Sequence, residues 1–108
     1  MSIDEAGAKR EEMEKELRTL TQRMETLRKN YDRFFMGLEK VPPGRERDSL
    51  ARALRSSKLQ RARNTGIKFR YNNLTQRFAS YNRNWERQMR MREEGRREGA
   101  PTRTDRSE

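Results

Sequence analysis

The chain has no cysteine and no histidine, and this absence excludes several kinds of chemistry. Without cysteine there are no disulfides. Without either residue, the usual zinc ligands and the thiol or imidazole groups of many active sites are missing. No run of Asp residues has the alternating oxygen ligands of a calcium loop. We therefore expect neither a metal ion nor a cofactor.

Apolar residues are scarce, and charged residues are abundant. Of 108 residues, 30% are hydrophobic and 41% are charged, so a thick globular core is not expected. No segment approaches the run of about 18 apolar residues that a membrane span needs. The polar start, MSIDEAGAKREE, does not resemble a secretory signal peptide. We expect a cytoplasmic protein and do not favour a membrane surface as its partner.

Motifs that support catalysis are also missing. The six glycines form neither a G-x-G-x-x-G pattern nor a phosphate-binding P-loop. No pairing of a nucleophile with a base is visible. The sequence therefore predicts a protein that is not an enzyme and has no small-molecule substrate.

What the first part of the chain does have is a regular apolar stripe. Apolar side chains recur there at alternating steps of four and three residues, a spacing typical of a helix that packs along one seam. The stripe consists of Met13, Leu17, Leu20, Met24, Leu27, Tyr31, Phe34 and Leu38. It predicts a helix over about 4–39. The Pro-Pro-Gly sequence that follows predicts a turn at 41–44.

A second stripe with the same rhythm predicts another helix over about 45–94. Its members are Ile67, Tyr71, Leu74, Phe78, Tyr81 and Trp85. Leu54 and Leu59 lie off this frame, which makes 55–66 a weak stretch. We favour a continuous or slightly kinked helix. The alternative is a break near Asn64–Gly66, with Asn64 or Thr65 as the cap of a new helix.

The predicted fold is all-α, an antiparallel two-helix coiled-coil hairpin over 1–94, because short connections join antiparallel neighbours. Pairing around the turn places together positions whose numbers sum to about 88. In that register Leu17 meets Tyr71, and Glu11 faces Arg77. Residues from Gly95 onward, 95–108, have no apolar period and are predicted to be disordered.

The net charge of +10 is concentrated in one segment. Residues 1–44 carry nine basic and nine acidic side chains, whereas 45–92 carry fourteen basic and three acidic, for a net charge of +11. Residues 93–108 carry four basic and five acidic side chains. Concentrated positive charge favours acidic partners, and 21 of the 27 basic residues are Arg, whose planar fork suits carboxylates and phosphates.

The first hypothesis is a protein–protein interaction module that binds an acidic protein surface or a second copy of itself. In the predicted hairpin, Phe78, Tyr81 and Trp85 face too little apolar surface to be covered, so we expect an exposed aromatic cluster with an Arg rim. The predicted partner-binding residues are Phe69, Arg70, Arg77, Phe78, Tyr81, Arg83, Trp85 and Arg87.

The alternative hypothesis is a basic helical protein that binds RNA or DNA, for example on a ribosome. Its support is the basic segment, the Arg bias, the Asn clusters and Phe69 between two basic residues, although no known RNA-binding signature is present. The predicted nucleic-acid-binding residues are Arg61, Arg63, Lys68, Arg70, Arg77, Asn82 and Arg83.

Overall fold

The computed structural model describes the backbone of residues 3–106 and the side chains of residues 7–96. Every regular element within this part of the chain is helical. The elements are α1 (Ile3–Phe35), α2 (Gly44–Ser56), a short 3-10 helix (Lys58–Arg61) and α3 (Thr65–Arg106). The chain divides into two compact units, Met1–Phe78 and Ala79–Glu108, and α3 contributes to both. Within residues 3–106, no helix combines the length and the apolar character needed to cross a bilayer.

The apolar stripe of α1 is buried as predicted from Leu17 to Phe34, with Met24 fully enclosed. The helix ends at Phe35, earlier than the predicted 39. Gly37 has a φ of 85° and donates its N–H to the Phe34 carbonyl, while the Leu38 N–H reaches the Arg33 carbonyl. This is a Schellman end, which needs a left-handed residue and therefore favours glycine. Leu38 lies beyond it and is 58% exposed, so its predicted place in the core is corrected.

α2 begins directly after the Pro-Pro turn and runs back along α1. Two side-chain contacts fix this direction. Arg23 donates to the Ser49 hydroxyl at 2.9 Å, and the Ser57 hydroxyl donates to the Glu16 carboxylate. Moving forward along α1 from residue 16 to residue 23 therefore moves backward along the second segment, from 57 to 49. The inward side of α2 buries Leu50 and Leu54.

The second helical segment is broken between Ser57 and Asn64, so the favoured continuous helix over 45–94 is corrected. Ser57 adopts an extended conformation, and its hydroxyl accepts the Leu59 N–H at 3.1 Å to begin the 3-10 helix. Ala62 is extended as well. Asn64 then caps α3, because its Oδ1 accepts the Ile67 N–H at 3.0 Å. The break with an Asn64 cap was the sequence alternative, and the structure confirms it.

The break allows α3 to lie beside both earlier helices. The Tyr71 hydroxyl donates to the Leu54 carbonyl at the end of α2. Arg77 forms an ion pair with Glu25 at 3.0 Å. Tyr71 lies close enough to Glu16 for the carboxylate charge to affect the pKa of its hydroxyl. Up to residue 78, α3 therefore runs in the same direction as α1. Two successive reversals of the chain produce this arrangement, and the predicted register, in which Glu11 faces Arg77, is corrected.

The core of the first unit is a seam between three helical segments. It includes residues from α1, from α2, from the stretch between α2 and α3, and from the first turns of α3. The buried apolar residues of this unit are Leu17, Leu20, Met24, Leu27, Tyr31, Phe34, Leu50, Leu54, Leu59, Ala62, Ile67, Tyr71, Leu74 and Phe78.

The structure continues α3 to Arg106, and the disordered tail expected for 95–108 stays a prediction. The residues after Trp85 are mainly Glu, Arg, Gln and Met, which favour a helix even where no apolar stripe accompanies them. Residues 107–108 lie outside the described part of the chain.

Candidate interaction surface

The most unusual electrostatic feature is a long stretch with no acidic residue. Residues 49–85, which we call the acid-free segment, contain nine Arg or Lys residues and no Asp or Glu. All nine basic side chains are exposed. They are Arg52, Arg55, Lys58, Arg61, Arg63, Lys68, Arg70, Arg77 and Arg83.

Almost none of these cations is neutralised by the fold. Within the described side chains, Arg77 is the only one of the nine that forms an ion pair, with Glu25 at 3.0 Å. Charges on α1 are used differently, because they pair with one another along the helix. Arg28 contacts Glu25 at 3.3 Å and Asp32 at 3.2 Å. The acid-free segment therefore keeps its positive charge available to solvent.

A groove between α1 and α3 collects three of the chain's arginines. Its volume is about 350 Å³. The lining residues are Leu17, Arg18, Thr21, Gln22, Arg70, Asn73, Leu74 and Arg77. We call it the Arg groove. Leu17 and Leu74 are buried and form its floor, while the rim consists of guanidinium, amide and hydroxyl groups.

The cations of the Arg groove are not equivalent. Arg77 is held by Glu25, whose carboxylate also contacts Arg28. Arg18 and Arg70 form neither an ion pair nor a side-chain hydrogen bond with any residue among the described side chains. No carboxylate is among the residues that line the groove in the described part of the chain. The arrangement can therefore donate several hydrogen bonds to one anionic group.

Phe69 does not line this groove, but it is 71% exposed on the same turns of α3. It lies four residues before Asn73, and residues with that spacing are neighbours on a helix surface, about 6 Å apart. Asn73 belongs to the groove rim. Lys68 and Arg70 flank the ring in the sequence. The first turns of α3 therefore carry an exposed ring, an amide on the groove rim and two basic residues, Lys68 and Arg70, that form no ion pair among the described side chains.

The exposed aromatic cluster that the sequence predicts is not present. Phe78 is 8% exposed and Trp85 is 2% exposed. Tyr81 is half-buried, and its ring stacks on Trp85 with centroids 5.8 Å apart. The expectation depended on the antiparallel register, which does not hold for the residues of α3 up to 78. These rings therefore contribute to packing, and the prediction of an exposed aromatic cluster is wrong.

The remaining predicted site residues belong to the second unit and are described separately. Asn82 donates to Glu86 at 3.3 Å, while its Oδ1 is buried without a hydrogen-bond partner in the described part of the chain. Arg87 donates to the Asn84 side chain at 2.8 Å. Arg83 is exposed. Arg83 and Arg87 line a shallow groove within the second unit, together with Ser80, Asn84, Glu86 and Arg90.

Sequence reasoning identified Phe69, Arg70 and Arg77 but missed the contribution of α1 to the groove. Arg18 and Gln22 follow the buried Leu17 by one and five residues, so they flank the seam. The spacing of the apolar residues in α1 predicts that both side chains lie beside the buried stripe. Their neighbours on α3 were predicted only in part, because the antiparallel register also places Arg18 opposite Arg70 but places Gln22 near Gly66 and far from Arg77.

Burial perturbs two tyrosines of the core. Burial raises the pKa of Tyr31, and the nearby Arg47 partly offsets this effect. Burial also raises the pKa of Tyr71, with a further contribution from the Glu16 carboxylate. Both hydroxyls stay protonated at neutral pH. The Tyr71 hydroxyl donates to the Leu54 carbonyl, and the Tyr31 hydroxyl accepts a hydrogen bond from Arg47.

Comparisons with known proteins give no family for this chain. No protein-family model matches it, and neither a curated protein nor a solved structure is significantly similar. Among the described residues, no group of three or more carboxylates is close enough to hold a metal ion.

Proposed function

We propose that this chain is a non-enzymatic helical binding module that presents a cationic surface to an acidic partner. The observation that carries the proposal is the acid-free segment. Its nine basic side chains are exposed, and one of them alone, Arg77, is paired with an acid within the described side chains. Concentrating so much unneutralised positive charge in one segment raises the energy of the folded protein unless an anion is nearby.

Self-association has less support than an acidic partner. The prediction of self-association depended on an exposed aromatic cluster, but two of the three rings, Phe78 and Trp85, are buried. Two copies of a cationic surface also repel each other. The surface supports two classes of acidic partner, an acidic protein face and the phosphates of a nucleic acid.

The proposal is tested with a pair of variants that remove the same charge from different places. Arg61→Gln/Arg63→Gln takes two unpaired cations from the acid-free segment. Arg10→Gln/Arg33→Gln takes two cations that the fold already pairs, with Glu14 and Glu39. Both double variants lower the net charge of +10 by two.

The measurement is the salt concentration that elutes each protein from immobilised heparin, a polyanion. We expect the Arg61/Arg63 variant to elute at clearly lower salt than the wild type, and the Arg10/Arg33 variant to elute close to it. Equal shifts for the two variants would mean that net charge alone governs binding, and the proposed cationic surface would be rejected.

A further inference from the structure

We propose that the acidic partner is a single-stranded nucleic acid, whose phosphates occupy the Arg groove while one base stacks on Phe69. This inference rests on the proposed function and adds the chemical class of the partner. It depends on the juxtaposition of an anion-binding groove and an exposed ring on the same turns of α3.

The groove supplies the phosphate contacts. Arg18 and Arg70 present planar guanidinium donors that no described acid neutralises, and Thr21, Gln22 and Asn73 add polar groups around them. Guanidinium groups bind phosphate oxygens through paired N–H donors. Glu25 holds Arg77 in place at 3.0 Å, so that this third cation is oriented before any ligand arrives.

Phe69 supplies an exposed aromatic ring, which a surface that binds by charge alone does not need. Its ring is 71% exposed and lies between Lys68 and Arg70 in the sequence. Every base has a flat aromatic face, and stacking of bases on exposed aromatic rings, combined with a positive groove for the backbone, is how proteins bind single strands without a sequence code. Because Phe69 neighbours Asn73 on the groove rim, one nucleotide can contact the ring and the arginines together.

The ring also distinguishes between the candidate partners. In a duplex the bases are already stacked on each other and are not available to Phe69. An acidic protein face offers carboxylates to the arginines but has no regular series of flat rings for Phe69. A single strand is the partner that uses both features of the surface.

The test measures binding of the full chain to a fluorescently labelled oligouridine RNA of about 12 nucleotides by anisotropy. We expect Phe69→Ala to weaken binding roughly tenfold or more, and Phe69→Tyr to restore most of the loss. Met36→Ala is the matched control, because Met36 is also 71% exposed but lies in the turn after α1. Each variant is first checked for an unchanged thermal unfolding midpoint.

The groove is tested in the same assay by varying salt. Arg70→Gln should weaken binding and reduce the slope of log K against log salt by about 0.7, the value for one phosphate contact on a single strand. Arg33→Gln removes an equal charge from a residue that Glu39 pairs at 3.1 Å, and it should leave the slope unchanged.

Two further ligands separate failure of this inference from failure of the proposed function. The oligouridine annealed to its complement should bind more weakly and without dependence on Phe69. If a poly-glutamate peptide binds as tightly as the RNA, depends on Arg70 and ignores Phe69→Ala, the inference is overturned while the proposed function stands. If Arg70→Gln leaves RNA binding unchanged, this inference is overturned. If the wild-type chain binds neither ligand, the proposed function is rejected as well.

Discussion

Phe69 and Phe78 are the same side chain on the same helix, nine residues apart, yet they have opposite environments. Phe78 is 8% exposed, and Phe69 is 71% exposed. The helical period explains the difference, because Phe78 continues the stripe of Ile67, Tyr71 and Leu74 whereas Phe69 lies on the outer side of α3. The comparison shows that residue type alone does not decide whether an aromatic ring is buried in the core or left exposed to solvent.

The two sides of α3 also differ in how their polar groups are satisfied. On the inner side, the Tyr71 hydroxyl is hydrogen-bonded to the Leu54 carbonyl. On the outer side, Lys68 and Arg70 have no ion pair among the described side chains. One side is therefore complete within the fold, while the other has unused hydrogen-bonding and stacking capacity.

The largest expected effect comes from truncating each ring in turn. Phe78→Ala should lower the free energy of unfolding by about 3–5 kcal/mol, since it removes a large buried side chain and leaves a cavity. Phe69→Ala should change it by no more than about 0.5 kcal/mol, as for other exposed substitutions. Urea unfolding followed by circular dichroism measures both values on the same helix.

Equal losses from the two variants would break the comparison. In that case Phe69 would be a packing residue, and its assignment to a recognition surface would no longer hold. A small loss from Phe78→Ala alone would instead show that the inner side of α3 contributes little to the stability of the first unit.

An intermediate effect is expected at Ser57, where the inner side relies on polar contacts. The hydroxyl donates to Glu16 and accepts the Leu59 N–H at 3.1 Å, and the residue is 5% exposed. Ser57→Ala should therefore cost about 1–3 kcal/mol of unfolding free energy, because it removes a cap and a bond to a charged group.

The neighbouring serine is the control for this prediction. Ser56 is exposed, and its hydroxyl bonds to the Arg52 carbonyl of its own helix at 3.0 Å. Ser56→Ala should stay within about 0.5 kcal/mol of the wild type. If the two serine variants were equally stable, the hydrogen bond between Ser57 and Glu16 would not contribute to the packing of residues 57–64 on α1.

The apolar period predicted the helices and most of the core, because it reports directly which side of a helix is buried. The seam of α1 from Leu17 to Phe34 and the inner residues of α3 are confirmed. The period failed at Leu38 because a single glycine, Gly37, ends the helix first through its left-handed conformation.

The arrangement of the helices was less predictable. A period identifies a buried side but not the element that covers it. Leu54 and Leu59 lay off the main frame, yet both are buried, because the break at 57–64 resets the phase of the helix. The Arg groove could be predicted only in part. The antiparallel register would also place Arg18 beside Arg70, but it would separate Gln22 from Arg77, and both line the groove because α3 runs parallel to α1.

The smallest expected effect is a loss of stability at alkaline pH, which depends on the buried tyrosines. Burial raises the pKa of Tyr31 and Tyr71 above the ordinary value of 10.0, so the folded state favours the protonated hydroxyls. Their contribution to stability is complete below about pH 10 and is lost as pH rises through the folded-state values. Urea unfolding at a series of pH values from about 8 to 11 should show this alkaline loss.

Tyr71→Phe should make the alkaline loss shallower, because a phenyl ring has no proton to release. At neutral pH the same variant should be less stable by about 1 kcal/mol, since the Leu54 carbonyl loses the hydroxyl donor. An alkaline loss as steep in Tyr71→Phe as in the wild type would mean that this hydroxyl does not titrate as a buried group, and that the inner side of α3 is open to water.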